Sequence, residues 1–165
     1  MTTRVELKIS KLEAPLPHLP FYIRPINHIV RAFLRLGIPM GPVVLLRVRG
    51  RNTGKTRRNP LGLFKDNGRR YLFSTFGGVN WVRNLRLAQQ ASIRHGWRTE
   101  RVVPVELSLE EAALVLKKAV APAFQGLGGM MFRDHFPLKP DAPFNDFLVE
   151  ARRHPVFELR KPATN

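Results

Sequence analysis

The sequence contains no cysteine, few acidic residues and no long hydrophobic run. Without cysteine there are no disulfides, no thiolate catalysis and no sulfur-ligated metal, and nothing points to an oxidising compartment, so we expect a cytoplasmic location. No apolar stretch approaches the roughly 18 to 20 residues of a membrane-spanning helix, and residues 1–20 lack the hydrophobic region of a signal peptide. We therefore expect a soluble protein, or one bound at a membrane surface.

The shortage of acidic residues leaves a large positive charge. Lysine and arginine number 28 against 12 aspartate and glutamate residues, which gives a formal net charge of +16 at pH 7. A charge of this size attracts anions over the whole surface. The candidate partners are therefore phosphate-bearing molecules, nucleic acid and anionic lipid.

The motifs of several common enzyme classes are also missing. No Gly-x-Ser-x-Gly or Gly-x-Gly-x-x-Gly pattern occurs, which argues against a serine hydrolase and a Rossmann dinucleotide site. The histidines are scattered and none has a metal-ligand spacing such as His-Glu-x-x-His, so we expect no metal site. They are His18, His28, His95, His135 and His154.

What is present favours one globular domain with a short tail. With 165 residues, 44% of them hydrophobic, the chain can bury a core of its own. Residues 1–19 are expected to form an extended tail, because Pro15 and Pro17 cannot continue a helix.

Residues 20–37 have the pattern of an amphipathic, basic helix that ends at Gly37. No acidic residue occurs between Phe21 and Met40. The basic face is either a solvated outer surface or a contact surface for anionic membrane headgroups. The apolar positions are Ile23, Ile26, Val30, Phe33 and Leu34, and the basic positions are Arg24, His28, Arg31 and Arg35.

Six β-rich runs separated by turn residues predict a mainly β, α+β fold, in which the strands form a closed or split antiparallel barrel with flanking helices. Pro60 places the second run at an edge or a bulge, because proline has no N–H to pair. The predicted strands cover residues 43–49, 57–65, 69–75, 91–95, 97–107 and 155–160.

Three helices and one long connection complete the prediction. Asn80 can cap a short helix, and Ser108 with Glu111 forms a capping box that opens a helix over residues 109–120. Pro143 suits the first turn of a last helix, which runs to about residue 153. Between them, residues 121–143 are rich in glycine, proline and aromatic residues, and we expect a lid there.

The densest charge lies between Arg47 and Arg70, where nine basic residues accompany one acidic residue, Asp66. Within it, residues 50–58, here called the basic turn, join two predicted strands. Glycines allow the backbone of this turn to point its N–H groups at a ligand, and cations and threonine hydroxyls lie beside them. Together these groups suit a bound phosphate. A solvated basic hairpin would have the same pattern.

A second cluster follows the third predicted strand. Gly77 and Gly78 let the backbone approach a ligand closely, and Trp81 lies one helical turn from Asn84. That face of the helix either packs against a flat ring and hydrogen-bonds to its edge, or Trp81 belongs to the core.

Both patterns together resemble those of the deazaflavin (coenzyme F420)-dependent nitroreductase family, within the split-barrel flavin and deazaflavin oxidoreductases. The similarity spans about residues 43–120 and includes the order and spacing of the motifs. The matching residues are Gly50-Arg51-Asn52-Thr53-Gly54-Lys55, Arg57, Pro60-Leu61, Gly77-Gly78 and Trp81-Val82-Arg83-Asn84-Leu85.

The resemblance implies a split β-barrel that binds coenzyme F420, with FMN as the alternative, and transfers a hydride between the deazaflavin and an apolar substrate such as a quinone, a nitroaromatic compound or a lipid. We expect a monomer or a weak homodimer. The residues that the resemblance assigns to the cofactor are Arg51, Asn52, Thr53, Gly54, Lys55, Arg57, Arg58, Asn59, Pro60, Leu61, Phe73, Ser74, Thr75, Phe76, Gly77, Gly78, Asn80, Trp81, Val82, Arg83 and Asn84.

The substrate pocket is expected to draw on aromatic residues near the C-terminus: Phe132, Phe136, Phe144 and Phe147. The resemblance implies no dedicated acid or base, although His135 could donate a proton to the substrate because histidine titrates near neutrality. The sequence departs from the family pattern in the basic turn, where Asn52 replaces a cation and Thr56 replaces the proline before Arg57. Arg58 is the candidate replacement for the missing cation.

Two functions outside this family compete. A basic β-barrel with interleaved aromatic residues could bind single-stranded nucleic acid, and a flavin or deazaflavin could be bound without catalysis. A nucleic-acid groove needs cations spread along a track, whereas this sequence concentrates them on one turn beside a glycine pair and Trp81. That concentration favours one compact anionic ligand.

Overall fold

The structure is a computed structural model that describes residues 18–126, 129 and 132–163. Most of the predicted tail, residues 1–17, lies outside the described part. The elements follow in the order α1 (Ile23–Arg35), β1 (Val43–Arg49), β2 (Thr56–Asp66), β3 (Arg69–Phe73), α2 (Asn80–Leu87), β4 (Ala91–His95), β5 (Arg98–Glu106), α3 (Leu109–Val115), a π-helical turn (Leu116–Val120), α4 (Ala121–Phe124), α5 (Phe144–Arg153) and β6 (Val156–Arg160).

The six strands form a closed antiparallel barrel in the order β1-β2-β3-β6-β5-β4, with β4 returning to β1. The predicted barrel is therefore confirmed, and each predicted strand is found with its ends shifted by no more than two residues. Alternate β1 residues, Val44, Leu46 and Val48, point into the barrel and pack with Leu72 and Phe157. This cluster is the first of two hydrophobic cores.

β2 changes partner along its length. From Thr56 to Gly62 it pairs with β1, and from Leu63 to Asp66 it pairs with β3. Pro60 lies in the first half, opposite Leu45 of β1, where the ladder to β3 has not yet begun. The predicted edge position of Pro60 is confirmed, and the free edge of β2 borders the cavity described below.

The second hydrophobic core joins β3 to the helices between β5 and β6, and its largest buried members include Phe73, Leu116, Phe136 and Phe147. The capping box at Ser108 and Glu111 is confirmed, with both reciprocal hydrogen bonds present.

The helix predicted over residues 109–120 is not α-helical throughout. It becomes a π-helical turn at Leu116, where the Ala121 N–H donates to the Leu116 carbonyl five residues earlier. Pro122 follows directly and has no N–H to continue an α-helical ladder, so a wider turn precedes it.

The predicted lid, residues 121–143, is packed rather than open where the structure describes it. It starts with α4, and Phe136 within it is only 1% exposed. Residues 127, 128, 130 and 131 lie outside the described part. No helix among the described residues is long and apolar enough to span a membrane.

The predicted two-sided pattern of α1 is wrong in detail. Phe33, expected on the buried face, is 41% exposed, whereas Arg31, expected on the outer face, is half-buried. The helix rests on the barrel through Ile23 and Leu34, so its apolar and basic flanks lie to either side of that contact. It ends as predicted at Gly37, whose φ of +77° suits glycine and where a Cβ would collide with the Trp97 ring.

Candidate functional site

A cavity of about 600 Å³ opens between α1, the basic turn with the start of β2, and α2. This volume is in the range of small-molecule sites. Five arginines line it and, among the described residues, no Asp or Glu does. The lining residues are Arg31, Arg35, Gly50, Arg51, Asn52, Thr53, Thr56, Arg57, Arg58, Asn59, Asn80, Trp81 and Asn84.

The basic turn is a closed hydrogen-bonded loop. The Gly50 N–H donates to the Lys55 carbonyl and the Gly54 N–H donates to the Gly50 carbonyl, both at 2.9 Å. Gly54 has a φ of +66°, a conformation that glycine adopts readily. A Cβ at Gly50 would lie 3.1 Å from the Lys55 carbonyl, so a small residue is needed there. Thr53 Oγ1 accepts a hydrogen bond from Arg57 Nη2 at 3.4 Å.

Arg51 connects the basic turn to α2. Its Nη1 donates to Asn80 Oδ1 at 3.2 Å and to Asn84 Oδ1 at 3.1 Å, and its backbone N–H also donates to Asn84 Oδ1. The predicted cap at Asn80 is wrong: Val79 occupies the N-cap position without a side-chain hydrogen bond. The Asn80 side chain accepts from Arg51 instead, which fixes the turn and the helix relative to each other.

α2 is buried along most of its length. Trp81 packs on Phe157 of the first core, with ring centroids 6.0 Å apart, and it also lines the cavity. Arg86 donates to both carboxylate oxygens of Glu106, at 2.8 and 2.9 Å, and so ties α2 to β5.

Arg83 does not line the cavity, and its Nε donates to the Gly78 carbonyl at 2.8 Å. Burial lowers the pKa of Arg83, and the nearby guanidinium groups of Arg51 and Arg86 lower that pKa further. The positive charges around α2 therefore disfavour the charged form of Arg83.

The structure does not bring every residue assigned to the cofactor to the cavity. The cavity takes in Arg51, Asn52, Thr53, Arg57, Arg58, Asn59, Asn80, Trp81 and Asn84. The residues that the resemblance assigned to the cofactor but that do not line the cavity are Gly54, Lys55, Pro60, Leu61, Phe73, Ser74, Thr75, Phe76, Gly77, Gly78, Val82 and Arg83.

The strand end after β3 has a clear structural role. Ser74 Oγ donates to the Gly77 carbonyl at 2.6 Å, and the Ser74 N–H donates to the Pro155 carbonyl at 3.0 Å. Gly77 has a φ of +68°, and a Cβ there would lie 3.1 Å from the Arg153 carbonyl. These contacts fasten the β3 end to the segment between α5 and β6.

The four phenylalanines assigned to the substrate divide into two pairs. Phe136 and Phe147 are buried in the second core, at 1% and 0% exposure. Phe132 is half-buried against the Phe76 ring, and Phe144 is 36% exposed at the start of α5. The His135 ring also packs on Phe76, with centroids 4.8 Å apart.

Two cavity residues, Arg31 and Arg35, were assigned elsewhere by the sequence. In the sequence they belong to a row of basic residues on a helix without acidic residues. We interpreted that row as an outer or membrane-facing surface. Only the packing of α1 beside β2 shows that this stripe borders the cavity.

The closed antiparallel barrel with its flanking helices is an α+β split barrel. The model of the F420H(2)-dependent quinone reductase family matches residues 27–125, and the chain belongs to this family. It is therefore an F420H2-dependent reductase, and its cofactor is coenzyme F420.

Solved structures with a similar fold have low sequence identity to the chain. One, described as a domain-swapped dimer, is 19% identical at a TM-score of 0.47, covering 84% of this chain and 97% of that one. An F420-H2 dependent reductase is 20% identical at 0.41, covering 72% and 94%. A putative 5-nitroimidazole antibiotic resistance protein from Bacteroides thetaiotaomicron is 13% identical at 0.46, covering 80% and 76%. No curated protein matches the chain.

The donor set of the cavity suits the anionic part of this coenzyme. Arg31 and Arg35 line the cavity, and among the described residues neither side chain has a hydrogen bond or an ion pair. Guanidinium groups and threonine hydroxyls are the usual partners of phosphate and carboxylate oxygens. The residues present therefore fit a negatively charged ligand.

Proposed function

We propose that this F420H2-dependent reductase holds its coenzyme in the cavity between α1, the basic turn and α2, and reduces an apolar acceptor such as a quinone, a nitroaromatic compound or a lipid-like molecule. The observation that carries the proposal is the cavity lining, which combines five arginines with Trp81 and side-chain amides and contains no carboxylate among the described residues.

Each part of the lining has a distinct task in this proposal. Arg51, Arg57 and Arg58 would hold the coenzyme phosphate, with Thr53 adding a hydroxyl. Asn80, Asn84 and Trp81 of α2 would contact the ring, because amides can bond to its polar edge and an indole can pack against its plane. Arg51 serves both regions, since it also fixes Asn80 and Asn84.

When bound, reduced coenzyme F420 supplies a hydride, so the protein needs mainly to position the two reactants and exclude water. The Arg51 hydrogen bonds and the Arg86–Glu106 ion pair hold α2 in one place relative to the basic turn. No side chain is required as a dedicated acid or base, and His135 stays a candidate proton donor only.

The acceptor is proposed to be apolar because of the aromatic surface after β3. Phe76, Phe132 and His135 form a contiguous, half-buried aromatic group, and Phe144 adds an exposed ring at the start of α5. Phe136 and Phe147 would support this region from within the second core without touching the acceptor.

Coenzyme binding gives the direct test of this proposal against nucleic-acid binding. Titrating the purified protein at low and moderate salt, we expect coenzyme F420 to bind at least about tenfold more tightly than FMN or a single-stranded oligonucleotide. Fluorescence of the deazaflavin and anisotropy of a labelled oligonucleotide report the two affinities. Tighter oligonucleotide binding with a steep loss on adding salt would favour the nucleic-acid alternative.

We also propose that α1 contacts an anionic membrane surface, through its apolar flank rather than its basic one. The apolar patch consists of Ile29, Phe33, Leu36, Ile38 and Trp97, of which Leu36 and Trp97 are 64% and 77% exposed. Arg94 lies over the Trp97 ring, with its guanidinium carbon 5.6 Å from the ring centroid. Exposed aromatic and aliphatic side chains bordered by cations are typical of surfaces that bind anionic bilayers.

Replacing Phe33 and Leu36 by Ser should lower binding to vesicles that contain anionic lipid by at least about tenfold. Full burial of a large apolar side chain contributes about 1.5–3 kcal/mol, and insertion at a bilayer surface buries these two only in part. Co-sedimentation with anionic and with neutral vesicles measures the effect. Val149→Ser, which removes an exposed apolar residue from α5, is the control and should leave binding unchanged. A stable dimer that loses this patch on mutation, with no vesicle binding, would assign the patch to a second copy of the chain.

A further inference from the structure

α1 presents one flank to the cavity, and that flank carries positive charge. Arg31 and Arg35 are four residues apart, so their side chains lie on the same side of the helix, and both line the cavity. They approach from the wall that faces the basic turn, where Arg51, Arg57 and Arg58 lie. The cavity therefore has cations on two walls contributed by separate elements.

The two walls differ in how their cations are engaged. In the basic turn, Arg51 donates to Asn80 and Asn84, and Arg57 donates to Thr53. Within the described residues, the side chains of Arg31 and Arg35 have no hydrogen bond or ion pair with the protein, and Arg31 Nε is buried besides. The α1 wall is thus the less satisfied of the two.

Arg58 adds to the positive charge of the cavity, and its β1 partner Arg47 lies beside it without lining the cavity. They lie opposite each other in the β1–β2 ladder, and Arg47 Nε is also buried without a partner in the described part of the chain. Buried guanidinium donors without acceptors are unfavourable, and like charges that share one cavity repel. The arginines that line the cavity, Arg58 among them, therefore suit a ligand that carries more than one negative charge.

One phosphate does not account for both walls. The basic turn alone offers three arginines and a hydroxyl, which is sufficient for a single phosphate group. The second pair of cations requires further anionic groups on the same ligand. Coenzyme F420 has them, because glutamate carboxylates extend beyond its phosphate, whereas FMN ends at its phosphate.

We propose that Arg31 and Arg35 form a second anion subsite, which takes the carboxylates of the coenzyme tail and selects coenzyme F420 over FMN. This inference rests on the proposed function, because it assumes that the phosphate is held by the basic turn. It assigns to α1 a role in cofactor specificity in addition to its contact with the barrel.

The test measures the affinities of three ligands for the double variant Arg31→Gln and Arg35→Gln. The ligands are coenzyme F420, FMN and the deazaflavin riboside without phosphate or tail. We expect the affinity for coenzyme F420 to fall about 100-fold, roughly tenfold for each lost charge-assisted contact, and the other two affinities to change by less than about threefold. The preference for coenzyme F420 over FMN should fall in proportion.

The matched control is the double variant Arg24→Gln and Arg98→Gln. It also removes two positive charges, but from exposed positions of α1 and β5 that do not line the cavity. We expect it to lower coenzyme F420 affinity by less than about twofold at moderate salt, because exposed charges outside the cavity are weakened by solvent and by salt. A fall equal to that of the cavity variant would show a general charge effect and overturn the inference.

The remaining outcomes separate this inference from the proposed function. Equal losses for coenzyme F420 and FMN would mean that the α1 pair binds the phosphate, and the second subsite would be rejected. An unchanged coenzyme F420 affinity, combined with a loss in the Arg51→Ala variant, would reject the subsite and leave the proposed site standing. Unchanged affinity in both variants would reject the subsite and the proposed site together.

Discussion

Replacing Arg51 by Ala is expected to weaken coenzyme F420 binding by about 100-fold, because the change removes two or more charge-assisted hydrogen bonds at about 1.5–3 kcal/mol each. The loss has two sources. The cavity loses a guanidinium group that faces the proposed phosphate position, and Asn80 and Asn84 lose the donor that fixes their side chains. Fluorescence titration of the coenzyme measures the affinity.

Lys55→Ala is the matched control for Arg51→Ala, and the structure makes the comparison sharp. Lys55 belongs to the same turn and carries the same charge, but it is exposed and does not line the cavity. We expect its removal to lower affinity by no more than about threefold, in line with the small worth of exposed charges. If the two variants lose affinity equally, net charge rather than the Arg51 contacts determines binding.

The barrel was predictable because its signals are local. Strand runs with a period of two, the hairpin turns and the capping box each depend on residues close in sequence, and tertiary packing did not overrule them. The basic turn belongs to the same group, since its loop is closed by Gly50, Gly54 and their immediate neighbours. For this reason the sequence placed the basic turn on the connection between β1 and β2, where the structure has it.

The α1 wall of the cavity could not be predicted in this way. Whether Arg31 faces solvent, a membrane or a ligand depends on how α1 is rotated on the barrel, and that rotation is set by which side chains fit the barrel surface. Ile23 and Leu34 fit it and Phe33 does not, although all three satisfy the same helical spacing. Periodicity identifies an apolar stripe but not which edge of a wide stripe is buried.

The same limit applies to the aromatic residues near the C-terminus. Phe144 and Phe147 lie one turn apart on α5, and the sequence assigned both to the substrate pocket. The structure buries Phe147 completely and leaves Phe144 at 36% exposure. The distinction arises from the packing of α5 against α3, a contact between elements that are distant in the chain.

Phe147→Ala should therefore reduce the free energy of unfolding by about 3–5 kcal/mol, the usual cost of truncating a buried phenylalanine. Its ring packs in the second core, and the Lys117 ammonium lies 5.5 Å from the ring centroid while donating to the Ala142 carbonyl. Since small domains are stable by about 5–15 kcal/mol, such a loss is a large fraction of the total. Chemical denaturation measures it.

The control is Phe144→Ala, which should cost less than Phe147→Ala because 36% of the Phe144 surface is already exposed to solvent. Phe147→Leu keeps an apolar side chain in the core, so this variant should fold and retain the wild-type affinity for coenzyme F420. Unchanged stability in Phe147→Ala, with a raised KM for the acceptor, would place this ring in the substrate pocket, as the sequence alone indicated. A stability loss confined to Phe147 would instead make the exposed Phe144 the one of the two that is free to meet an acceptor.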